Sequence, residues 1–319
     1  MTKAANNAFN ANVGQARSRH KNLLINGNFD VWQRGSSISL TNQTKYLADR
    51  WVNACSGAAA AANISAQSFT VGQTDVPDEP TFFHRTQVTN AGGATTDYVR
   101  TSQAVEDVTR TAGKTLTLSF YAKANAPLYL GIDAERVLSG YNVSGLISTK
   151  VPLTTSWQKF IITFDVPTLT GTSLSANNYL RIDFWYSSGS AFFASNGGVG
   201  FQTGTFDIAR VQLEEGSEAT GFEFRHFQEE LALCQRYFQK YLFVIISEYN
   251  VAGGTNYNGM VFQNTMRATP TVTYSNQSNS NGGTISTNSV SPTQIRIQAV
   301  QPAAGNSWSQ ATIELDAEL

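Results

Sequence analysis

Five segments between residues 114 and 213 alternate apolar and polar residues, and no helical pattern separates them. They are 114–123, 129–133, 157–166, 179–186 and 205–213. Successive side chains of a strand point to opposite faces, so a period of two buries one side and leaves the other toward water. Gly92-Gly93, Ala112-Gly113, Ala126-Pro127, Ser188-Gly189 and Gly197-Gly198 interrupt the pattern with turn signals. Many short strands without intervening helices predict a mainly all-β chain built on a β-sandwich, two antiparallel sheets face to face.

Composition narrows the alternatives. At 319 residues the length fits about two domains. Charged residues make up 14% and the net charge is −1, which excludes the basic footprint of a nucleic-acid binder. No apolar run approaches the roughly 18 residues of a spanning helix, so membrane insertion is not expected. Residues 1–7 lack the apolar core of a secretory signal, and synthesis in a cytoplasm is expected. Cys55 and Cys234 lack metal spacing and read as buried apolar thiols.

Four regions follow. Residues 1–21 carry Lys3, Arg17, Arg19, His20 and Lys21, and no acid precedes Asp30. With few large apolar residues this segment cannot fold alone. It is either a disordered leader or a basic docking arm that orders against a partner. Residues 22–225 form the predicted β-sandwich. In 226–241 the period changes: Phe227, Leu231, Cys234, Phe238 and Tyr241 are spaced four, three, four, three. That is the stripe of one amphipathic connecting helix, and equally the seam of a short three-chain bundle. Residues 242–319 return to strand patterns, beginning with the apolar run Leu242–Ile246, and make a small C-terminal β domain. About 75 residues give a thin core, which oligomerisation would help to stabilise.

Catalytic patterns are missing. His20, His84 and His226 have no metal spacing, and no nucleophile elbow or phosphate loop occurs. Asp133 with Glu135, or Asp183 with Asp207, are the carboxylate pairs a glycosidase would draw on. Neither comes with a recognisable motif, so no enzyme is expected. Sugar binding without catalysis needs an exposed aromatic face beside amides or carboxylates. Trp185, Tyr186 and Tyr129 are the candidates. Trp185 and Tyr186 are adjacent on a strand, which sends one to the core and the other outward. Trp32, Trp51 and Trp157 are assigned to the core.

The stretch Asn22-Leu23-Leu24-Ile25-Asn26-Gly27-Asn28-Phe29-Asp30-Val31-Trp32-Gln33-Arg34-Gly35, completed by Tyr46-Leu47-Ala48-Asp49-Arg50-Trp51, resembles the opening of phage tail-fibre and other virion structural proteins. Residues 118–123, 211–216, 266–273 and 313–319 extend the resemblance. It implies a carbohydrate-binding-like jelly roll whose first strands are residues 22–51. It also implies a homotrimer on the virion, on the tail or capsid exterior. Lys3, Arg17, Arg19 and Lys21 would dock onto other virion proteins, and a host surface polysaccharide would be the ligand. A structural calcium near the first and last strands would draw on Asn28, Asp30 and Asp207. Two roles stay open: a tail-fibre or receptor-binding protein, or a capsid decoration protein, head fibre or tail-assembly component without a receptor.

Overall fold

The computed structural model describes residues 20–138 and 142–319. Lys3, Arg17 and Arg19 of the predicted docking arm lie outside the described residues. Lys21 lies within them, and its ammonium is engaged by the Thr220 hydroxyl and the Gly221 carbonyl.

The chain divides into two compact units. The first is a two-sheet sandwich. One sheet runs β1 (Ser37–Thr41), β4 (Ala61–Ser68), β5 (Phe82–Asn90), β12 (Gly204–Glu215), β7 (Thr115–Ala124), β10 (Gln158–Asp165). The second runs β2 (Gln43–Tyr46), β3 (Val52–Ser56), β6 (Tyr98–Glu106), β11 (Tyr179–Ser188), β8 (Leu128–Val137), β9 (Asn142–Leu153). Neighbouring strands pair antiparallel. The chain crosses repeatedly between the sheets, as the predicted jelly roll requires. Leu118, Phe120, Ala122, Phe206 and Ile208 face inward from the first sheet, and Val99, Val105, Ile132, Ile182 and Phe184 from the second. Phe120 meets Phe184 edge-on at 5.1 Å, joining the layers. His84 belongs to this core. Its Nε2 lies 3.0 Å from the Asn53 side-chain oxygen, and burial pushes its pKa down to about 3, so it is neutral.

The opening motif departs from expectation. Residues 22–35 contain no strand. Residues 22–29 instead dock on β12. The Leu23 amide donates to the Leu213 carbonyl at 2.8 Å, and the Val211 amide to the Gly27 carbonyl at 2.9 Å. The Asn22 side chain donates to the Val211 carbonyl and accepts from the amides of Leu24 and Leu213. Gly27 is required here, because a Cβ would lie 2.1 Å from the Val211 oxygen. The fully buried Trp51 indole donates to the Asn26 carbonyl at 2.9 Å. β12 bulges to receive this segment: its pairing with β7 slips between Ala209 and Gln212, and Arg210 takes φ 52°.

The second unit contains residues 226–319 together with two short stretches of the motif, Asp30–Gly35 and Tyr46–Arg50. Those stretches therefore serve a different unit from the jelly roll to which the sequence assigned them. Arg34 reaches Asp49 at 3.5 Å, Asp316 at 3.3 Å and Glu318 at 3.2 Å, and its guanidinium lies 3.7 Å from the Phe238 ring centroid. Arg50, at φ 70°, pairs with Glu318 and stacks 3.5 Å from the Tyr237 ring centroid. Desolvation raises the Asp49 carboxyl to about 6, although Arg34 and the Gln33 hydrogen bonds oppose the shift.

Two three-stranded sheets complete this unit. One is β13 (Phe238–Asn250), β18 (Gly305–Asp316), β15 (Thr271–Ser280); the other is β14 (Thr255–Val261), β17 (Gln294–Val300), β16 (Ser286–Val290). Phe243, Ile245, Ile295, Ile297, Ile313 and Leu315 are central to one shared core. The connecting helix is shorter than predicted. Among the described residues α1 is Phe193–Asn196, and α2 spans Phe227–Gln235 only. Phe238 and Tyr241 stand on β13, where their odd spacing sends them to opposite faces. On the helix, Phe227 is 52% exposed and Cys234 fully buried, with Leu231 between these extremes. The five residues form no continuous seam.

Candidate functional site

The outer face of the second sheet receives two of the predicted sugar-binding aromatics but exposes only one. Trp185 points outward yet is only 3% exposed, because Tyr98 and Phe192 cover its ring at 5.4 and 5.2 Å. Tyr186 points inward, fully buried, against Phe206 at 5.2 Å. Burial pushes its hydroxyl up to about 12. Neither can meet a sugar ring. Tyr129 is 46% exposed, with the Lys150 ammonium 4.7 Å from its ring centroid. The 189–199 segment produces the sealing. A Cβ on Gly131 would strike Val199 and Asn196, so this segment lies directly on the sheet.

Farther along the same face, Asp133 pairs across strands with Asp183, and Glu135 with Arg181. Carboxylate oxygens of Asp133, Glu135 and Asp183 lie within 4.8 Å of one another, and all three residues are buried. Arg181 binds Glu135 at 2.6 Å and Asp183 at 3.0 Å, and Arg100 binds Asp183 at 2.9 Å. Burial, then the charges of Asp183 and Glu135, raise Asp133 to about 7. Such oxygens suit a cation, but the two guanidiniums already occupy much of the cluster. The buried group also gives a glycosidic bond no access. The other candidate pair is separated outright: Asp183 faces outward from the second sheet and Asp207 from the first.

The outer face of the first sheet is open. Phe69, Phe83 and Trp157 build an aromatic shelf with ring separations of 4.8, 5.3 and 5.3 Å. Trp157 and Phe69 are half-buried. This corrects the assignment of Trp157 to the core. Beside the shelf, Arg85 grips Asp207 through two bonds of 2.7 and 2.8 Å. Lys123 lies 3.8 Å from Asp207 and 5.2 Å from the Trp157 ring centroid. Asp207 is thus committed to cations of its own chain, which argues against the calcium role predicted for it. Of its proposed co-ligands, Asn28 is buried in the first unit and Asp30 belongs to the second.

Two residues along β7 from Lys123, and on the same face, Tyr121 opens a pocket of about 140 Å³ that also includes Pro77, Asp78, Lys159, Arg210 and Phe222. The bulge of β12 turns Arg210 into this pocket. One guanidinium nitrogen donates to the Asp78 carbonyl at 2.8 Å, and the group lies 4.8 Å from the Phe222 ring centroid. Asp78, Glu79 and Arg210 all have positive φ, of 59°, 49° and 52°. Side chains rarely adopt that conformation, and such strain concentrates at functional sites. The Tyr121 hydroxyl is raised mainly by burial, with Arg210 opposing. A flat aromatic shelf beside a cleft of hydroxyl, ammonium, guanidinium and carboxylate groups offers both C–H stacking and hydrogen bonds. A signal for it was present in the sequence: strand parity groups Trp157 with Lys159 and Thr163, away from the buried Phe164.

No family model and no curated protein matches the sequence. Among solved structures, a CBM4 module is similar over 60% of this chain and 98% of its own, at 18% identity and a TM-score of 0.35. The enzymatically active domain of tailspike protein 4 from bacteriophage CBA120 aligns with 61% of this chain and 22% of its own, at 14% identity and 0.37. The CBM22-1 xylan-binding domain of Paenibacillus barcinonensis Xyn10C aligns with 62% of this chain and 96% of its own, at 12% identity and 0.35. The sandwich assignment rests on the strand pairing described above.

Proposed function

We propose that this protein is a non-enzymatic phage virion component that attaches to a host surface glycan through the outer face of the first sheet. The half-exposed Trp157 shelf, adjoining the Tyr121–Arg210 pocket, carries this reading. A sugar ring stacks its apolar C–H face on Trp157, while its hydroxyls reach Lys123, Lys159 and the Tyr121 hydroxyl. The virion context rests on the resemblance of residues 22–51, and residues 1–21 are the mounting segment in this reading.

Binding of the full chain to purified host surface polysaccharide tests the proposal, with Trp157→Ala beside it. Binding that the substitution weakens about tenfold supports it. Equal binding by both proteins removes the shelf from the function. Location on the capsid lattice, with no adsorption to host cells, transfers the protein to the decoration or assembly class. Release of reducing sugar would make it an enzyme.

A further inference from the structure

The second unit carries a larger groove on the outer face of its β13-β18-β15 sheet, with a volume of about 580 Å³. Strand pairing places Trp308 between Ile246 and Ser280, and Gln310 between Val244 and Ser278. The central strand therefore supplies an indole and an amide. β13 supplies a branched aliphatic wall and β15 a hydroxyl wall. Trp308 is 38% exposed and Ile246 74% exposed. Among the described residues that line the groove, none has an ionisable side chain.

We propose that this groove binds a neutral sugar residue bearing a methyl group, of the 6-deoxyhexose or acetamido-hexose type. Against these described side chains a charged ligand would lose hydration without gaining an opposite charge. A sugar ring lies against Trp308, its hydroxyls meet Gln310 and Ser280, and its methyl group rests on Val244 and Ile246. The volume falls within the range of ordinary ligand clefts, about 300–1,000 Å³. This extends glycan binding to a second unit and uses none of the first-sheet residues.

Saturation-transfer NMR on the full chain tests it with rhamnose, N-acetylglucosamine, glucose and glucuronic acid. The two methyl-bearing sugars should bind, with the strongest transfer at their methyl protons. Glucose should bind about fourfold more weakly, as expected for one unburied methyl, and glucuronic acid more weakly still. Trp308→Ala should weaken binding about tenfold, Trp308→Phe should retain much of it, and Trp157→Ala should leave this site unchanged. Thermal melting of each variant controls for folding. No transfer to any sugar, or transfer indifferent to Trp308→Ala, overturns the proposal. So does a fall in oligomer mass on Trp308→Ala without sugar binding, which would make the groove an interface between copies of this chain.

Discussion

The two outer faces of the jelly roll start from the same alternation of residues and reach opposite outcomes. On the second sheet, Trp185 is roofed by Tyr98 and Phe192, and three carboxylates are held with two guanidiniums. On the first sheet, Trp157 stays half-exposed beside a strained pocket. On the sealed face Arg100 and Arg181 neutralise Asp183 and Glu135 and hold the fold. On the open face Asp207 and Arg210 are engaged by their own chain, while Tyr121, Lys123 and Lys159 keep access to solvent. An outward-facing aromatic is therefore informative only once the loop above it is known.

Removing a cation from the sealed face should have the largest effect. Arg181→Ala strands Glu135, leaves Asp183 to Arg100 and Ser102, and should cost about 3–5 kcal/mol in urea denaturation. A loss below about 1 kcal/mol would show that water already reaches this cluster. The next effect depends on pH. Folded Asp133 holds its proton up to about 7, against 3.8 for an ordinary aspartate in water. Folding therefore binds a proton between those values, and this contribution to stability declines as pH rises from about 4 to about 7, by at most ~1.4 kcal/mol per unit. Asp133→Asn should flatten that slope, and an unchanged profile would assign it to another group.

At the β12 bulge, Gly27→Ala forces a methyl group against the Val211 carbonyl and should destabilise by about 1–3 kcal/mol. It should also disturb the pocket through Arg210. A normal pocket in this variant would separate the motif from the site. Lys159→Ala is the mildest change: stability should stay within about 0.5 kcal/mol while glycan affinity falls. If stability drops by as much as it does for Arg181→Ala, the two faces are not different in kind.

Much of the sandwich was legible because alternation is a local signal. Strand parity also held the outward direction of Trp157, although aromatic size pointed to the core. Other features depend on distant partners. Trp185 is covered by residues that follow a turn, and no pattern in its own strand records that cover. The stripe at 227, 231, 234, 238 and 241 crosses from helix to strand, so a regular spacing continued past the element that explained its beginning. The motif at 22–51 was misplaced because residues 22–29 answer to β12, whereas Arg34 and Arg50 answer to Glu318. Nothing local distinguishes those partners.

The pairing of Arg50 with Glu318 spans 268 positions, and that of Arg34 with the same carboxylate spans 284. During translation both guanidiniums leave the ribosome long before their acid exists. The intervening jelly roll can collapse around its own tryptophan while two short pieces of its early sequence, linked to each other by Arg34 and Asp49, wait for that carboxylate. At roughly 5–20 residues per second, that wait lasts from about fifteen seconds to a minute. Closure of this contact thus waits for Glu318, and a chain broken off before it would lack the carboxylate that Arg34 and Arg50 share.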